Sequence, residues 1–244
     1  MSRAFAGGIG WGLTLVFMVV LGYHPQDVAA EAVGSPASIL EKGQWVMGLG
    51  GGVLLGKGFK GGADATGYQL GHFRGYGLTD RLSIYGKIGG AGLSIEDSSI
   101  VKQDKSTTHN FLGVLGGIAL KGKLWESPRK TWEVDGSLHY AIMRARHRHG
   151  NDGRWQEWVF ATSAARSFGR VKPYVGVKYS LASMKFKVRE SGSLLQQGTY
   201  KSDVRVGPFL GTDVYFGQAE DVIVNVETSY LDGTEVHLAI QYIF

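Results

Sequence analysis

The chain has 244 residues, a formal net charge of +5 and no cysteine, which excludes disulfide staples and thiolate metal or redox chemistry. Apolar residues make up 43% and charged residues 19%, so disorder is excluded; 38 glycines without a G-X-Y period exclude collagen and count against a helical bundle. Lys and Arg are scattered rather than gathered in runs, so the basic balance reads as a solvated rim and not as a nucleic-acid surface.

The N-terminus has the three parts of a secretory signal: Arg3, an apolar stretch from Ile9 to Tyr23, and small residues at Val28, Ala30 and Ala32. The expected organisation is a signal peptide over residues 1–30, a linker over 31–40 and one domain over 41–244. No later run reaches the roughly 18 apolar residues of a membrane helix.

From there the period is two, the strand period. Ten strands are expected, at residues 44–56, 66–77, 82–95, 109–122, 131–146, 155–167, 171–188, 200–216, 222–231 and 234–244; eight is the alternative count. Connections after odd strands, such as "EDSSIVKQDKST" and "RHRHGNDG", are mostly long and polar. Those after even strands, such as "LTDR", "FGR" and "GQAED", are mostly short. This is an all-β, closed, antiparallel up-and-down meander with long loops at one end.

One face of each strand is apolar and the other carries charge. Val206, Leu210 and Val214 oppose Arg205 and Asp213; Val222, Val224 and Val226 oppose Glu227; Trp132, Val134 and Leu138 oppose Glu133, Asp135 and His139. A soluble sandwich that binds a ligand would bury the apolar faces, and it is the competing fold. Three features favour apolar faces toward lipid: strands longer than about ten residues, aromatics near strand ends (Trp45, Tyr76, Trp132, Trp158, Phe168, Phe216, Tyr242, Phe244), and closure, which leaves no unpaired edge in hydrocarbon. His72 and Arg74 share a face with Leu70 and Tyr76 and break the alternation, so a bulge is expected in the second strand.

The signal sequence, the "YGLTDRLSIYG" turn and the closing "VHLAIQYIF" together resemble the family of small bacterial outer-membrane β-barrel proteins. The resemblance implies export to the outer membrane, contact with its lipids including lipopolysaccharide, and recognition by the barrel assembly machinery through Ile240, Tyr242 and Phe244. Ten strands are also similar to the omptin-like outer-membrane proteases. Asp64 and Asp104 lie in expected loops, Asp152 follows His147 and His149, and the protease motif is not matched. The expected role is structural, surface-interacting or narrow transport, with no catalytic residue, cofactor or metal. An outer-membrane enzyme hydrolysing lipid or peptide at the rim is the alternative, and the oligomeric state is left open.

Two constellations are the candidate sites. The inward residues Lys87, Lys121, Glu133, Asp135, His139, Glu157, Lys178, Arg205, Asp213, Glu227, Glu235 and His237 mix both signs and are expected to fill a narrow lumen as paired charges. In "RARHRHGNDGRW", Arg144, Arg146, Arg148 and Arg154 crowd His147 and His149 with positive charge. That opposes a metal cation and suits an anionic partner such as outer-leaflet phosphates.

Overall fold

The computed structural model describes residues 39–60, 63–97, 109–146, 152–190, 193–202, 206–231 and 233–244. The expected signal peptide, most of the linker and the tips of several long connections lie outside these residues. Among these residues eleven strands follow one another: β1 (Trp45–Phe59), β2 (Ala63–Thr79), β3 (Leu82–Asp97), β4 (His109–Glu126), β5 (Trp132–Arg146), β6 (Asp152–Arg166), β7 (Val171–Glu190), β8 (Ser193–Lys201), β9 (Val206–Phe216), β10 (Val222–Tyr230) and β11 (Thr234–Ile243).

All pairings are antiparallel, and β1 pairs with β11 to close the wall. The upper part of β7 pairs with β8 and its lower part with β9, so these two segments occupy one wall position. The result is a closed ten-stranded up-and-down barrel. The expected eighth strand, 200–216, is thus two segments, and a two-sheet sandwich is excluded by the closed ladder.

The wall is inside out relative to a water-soluble barrel. Leu49, Leu70, Ile88, Leu112, Val114, Ile118, Val175, Val206 and Leu210 are each more than half exposed on the outer face. Lys57, Lys121, Lys178, Asp213, Glu227 and Glu235 are buried inside. Lipid is the solvent in which this arrangement is favourable, because closure satisfies every strand edge internally and hydrocarbon covers the apolar face.

The lumen is filled in layers. The loop-side part holds an apolar cluster of Phe59, Leu93, Leu115, Met143, Trp155, Met184 and Phe186. At the short-turn end Val46, Phe73, Tyr85 and Ala119 pack around Leu40. Leu40 belongs to a strap over residues 39–44 that folds back under the mouth. Its amide donates to Ser83 Oγ at 3.0 Å, and Gly43 N donates to Gly77 O at 2.9 Å.

Two expectations are corrected by the register. The second strand pairs without interruption from Gly67 to Tyr76, so no bulge turns His72 and Arg74 inward; both face outward, and the shift in β2 lies past them, between Gly77 and Thr79. Another irregularity sits in β1, between Leu54 and Lys57, where Gly56 has a φ of 69°. A left-handed residue costs glycine little, and the extra residue reverses the parity of the strand. Leu54 faces inward before it, and Lys57 and Phe59 face inward after it. The expected first strand, ending at residue 56, therefore stops short of two lumen residues. Beyond the short β10–β11 hairpin, β1 reaches β8 directly through a bridge between Phe59 and Ser202.

Candidate functional site

The lumen network forms because inward positions on strands far apart in sequence converge on a narrow axis, where a charge lacking a partner would be costly. Lys57 Nζ donates to Glu157 Oε1 at 2.7 Å and lies 3.8 Å from Glu235 Oε1. Ser180 Oγ and Trp155 Nε1 donate to the two Glu157 oxygens at 2.5 and 3.2 Å. A second set joins Lys178 Nζ to Glu227 at 2.5 Å, Tyr174 OH to Glu227 at 2.9 Å, and Asn225 Nδ2 to Tyr174 OH and Asp213, each at 2.8 Å. Lys87 donates to Gln69 at 2.7 Å, and Lys121 Nζ lies 4.3 Å from the centre of the Tyr85 ring.

Glu133 stands apart from these sets. It meets Lys172 and Lys123 at the short-turn mouth, and Lys123 also bonds Glu126 at 2.8 Å. Asp135, His139 and His237 are buried on the inner face. Arg205 lies outside the described residues. The enclosed space beside Phe73, Lys87, Glu227 and His237 is about 10 Å³, about one water's worth. Sequence reasoning did not name Lys57, Lys172, Tyr174 or Asn225 for the lumen; alternation flags the last three, whereas Lys57 depends on the bulge.

The outer wall carries the second site. Arg144 in β5 stands directly opposite Arg154 in β6, and Arg154 opposite Lys185 in β7. Alternation turns all three outward, because Ala145, Trp155, Met184 and Phe186 are the inward neighbours. Lys187 extends the row, opposite Asp152 and Gln197. These side chains line a concavity of about 1120 Å³ together with the exposed Leu112 and Val114.

Four residues below Arg154, the Trp158 and Tyr140 rings pack at 4.5 Å, an aromatic pair of the kind that marks a membrane interface. With about 3.3 Å per residue and a tilt near 40°, the basic row stands roughly 10 Å above that pair. Trp158 is thus well inside β6 rather than at its end, since the strand continues beyond the apolar band. The Arg146 side chain and residues His147, Arg148 and His149 lie outside the described residues. Lys185 and Lys187 were not named from sequence; the signal was "MKFKVRE", whose lysines alternate with apolar residues.

Ile240, Tyr242 and Phe244 are exposed on the outer face. Phe244 N donates to Trp45 O, and Trp45 N to Phe244 O, both at 2.9 Å, so the last residue is part of the closing seam. Asp64, considered for hydrolytic chemistry, is exposed on β2, and Asp104 lies outside the described residues.

No protein-family model matches the chain, and no curated protein sequence does. Solved structures with a similar course of the chain include the outer membrane protease OmpT from Escherichia coli, at 12% identity, covering 86% of this chain and 100% of that one with a TM-score of 0.44. The outer membrane protein OprG from Pseudomonas aeruginosa is 10% identical over 84% of this chain and 98% of its own, with a TM-score of 0.44. The attachment invasion locus protein Ail of Yersinia pestis, solved with the heparin analogue sucrose octasulfate, is 11% identical over 83% and 99%, with a TM-score of 0.38. At such identities the likeness extends to the architecture alone. The chain is a closed ten-stranded antiparallel barrel, similar in architecture to the small bacterial outer-membrane barrels.

Proposed function

We propose that the protein is an integral outer-membrane barrel with a filled lumen, exported by its N-terminal signal, whose working surface is its outer wall. Arg144, Arg154, Lys185 and Lys187, joined by Arg146 and Arg148, hold phosphate groups of the outer leaflet, those of lipopolysaccharide among them. The observation that carries this reading is the cross-strand line of Arg144, Arg154 and Lys185, all outward and just above an aromatic pair. Guanidinium forks match phosphate oxygens in pairs, and each basic residue near an anionic surface contributes about 1 kcal/mol. The charged and aromatic filling of the lumen favours this surface role over narrow transport. Assembly uses the exposed Ile240, Tyr242 and Phe244 of the closing strand.

The test is binding of the folded protein to vesicles containing lipopolysaccharide. Replacing Arg144, Arg154 and Lys185 together with Gln is expected to weaken it by about two orders of magnitude at low salt. The loss should shrink as ionic strength rises, because these charges are solvated and screened. Unchanged binding would reject the site. Planar-bilayer recordings should show no steady conductance; a steady open channel would reject the filled lumen.

A further inference from the structure

His72 and Arg74 break the outer wall at the opposite end. β2 ends at the short-turn side, where Tyr76 packs on Trp45 with ring centres 4.7 Å apart. Arg74 is two residues above that pair, about 5 Å along the barrel axis. It faces outward between Met47 of β1 and Gly86 of β3, while His72 lies between Leu49 and Ile88. Every other outward position between the two aromatic levels, among the described residues, is apolar, aromatic, glycine, threonine or proline.

Arg74 Nε donates to His72 Nε2 at 3.2 Å. That bond orients the guanidinium while leaving both Nη groups for another acceptor. Beside Arg74 the wall is notched: a side chain at Gly86 would meet nothing within 4 Å. Ile84, Ile88 and Ile118 rim the notch and are all exposed. A guanidinium directed into hydrocarbon is unfavourable unless an anion meets it.

From these observations we infer that His72 and Arg74 form a second lipid site, for the phosphate of an anionic glycerophospholipid in the short-turn-side leaflet, its head drawn over Gly86 and its tails along the isoleucines. Charge complementarity selects this occupant over a second copy of the chain. Among the described residues no carboxylate faces outward between the aromatic levels, so a partner barrel would bring Arg74 no anionic group. The planar fork suits a phosphodiester, which offers two acceptor oxygens. The inference rests on the membrane reading of the wall and is independent of the basic row.

Native mass spectrometry of the detergent-folded protein tests it, in a background where Arg144, Arg146, Arg148, Arg154, Lys185 and Lys187 are Gln so that the upper row does not contribute. Dioleoyl phosphatidylglycerol is expected to leave one tightly held lipid per barrel, and dioleoylglycerol, which has the same tails without phosphate, none. Arg74→Gln should lower phosphatidylglycerol occupancy about tenfold, and His72→Phe by a smaller factor, since it only orients the guanidinium. Equal occupancy with and without Arg74 would overturn the site, as would equal retention of the two lipids. A dimer that disappears in Arg74→Gln would assign the pair to self-association instead. In vesicles, dipolar recoupling should place lipid phosphorus near the Arg74 Cζ carbon, and absence of that contact in the unmodified protein would also overturn the inference. Failure of the membrane reading itself would look different: every variant would stay soluble and folded without detergent.

Discussion

Lys57 and Glu157 are 100 residues apart in the chain, sit on opposite sides of the wall, and meet at 2.7 Å inside it, both almost completely buried. Removing Lys57 takes the ammonium away from both Glu157 and Glu235, two buried carboxylates that it bridges. Lys57→Met is therefore expected to destabilise the barrel by about 3–5 kcal/mol, and Lys57→Met with Glu157→Leu to recover part of the loss, since Glu235 stays without the ammonium. Urea unfolding midpoints in lipid vesicles, followed by tryptophan fluorescence, measure both. A single variant as stable as the parent would mean the pair is not formed.

The orientation of the wall has its own test. Ile88 is well exposed on the outer face of β3. Ile88→Arg should cost about 2–4 kcal/mol if that face meets mid-bilayer hydrocarbon, whereas Ile88→Leu should be nearly neutral. The same unfolding assay reads it. An arginine tolerated without loss would place the residue in water.

Gly77 and the strap constrain each other. A side chain at Gly77 would come within 2.7 Å of the Glu41 carbonyl carbon and 3.1 Å of Leu40 O, both backbone atoms that cannot swing away. Gly77→Ala is expected to release residues 39–44 from the mouth while the ladder stays intact. Trypsin cleavage after the exposed Lys42 should accelerate about tenfold, the equivalent of losing one or two hydrogen bonds. Cleavage at the parental rate would show that the strap is not held there.

Phe244 closes the seam through two backbone hydrogen bonds with Trp45 and stacks on Tyr242 with ring centres 6.1 Å apart. Deleting it should lower stability by about 1–3 kcal/mol in vitro. If the terminal aromatic also serves assembly, folded protein in cells should fall far more than that loss of stability explains. Heat-modified gel mobility of membrane fractions separates the two effects.

The barrel was legible because its signal is repetitive. A hairpin needs only local alternation and a turn, and strands such as β10 and β11 repeat the apolar-outward rule over nine and ten residues. The candidate sites were legible only where they obeyed that rule. Arg144 and Arg154 could be named, and Lys185 and Lys187 could have been, since each alternates with buried neighbours. Their standing in one line across three strands is a property of register, which the chain does not display residue by residue. Arg74 shows the opposite failure: a charged residue on an apolar face looked like an error of phase, and the strand is in phase.

Sequence by itself determined the class of the fold and the polarity of its two faces, because a period of two with charge on one side leaves a narrow choice of structures and solvents. Tertiary structure decided which charges meet. Lys57 lies in a glycine-rich stretch that reads as a loop. One left-handed glycine reverses the strand's parity and turns the ammonium inward, toward a carboxylate five wall positions away. A parity change costs a glycine almost nothing locally, so no local signal announces it; its consequence appears only when the wall closes and opposite sides come within reach.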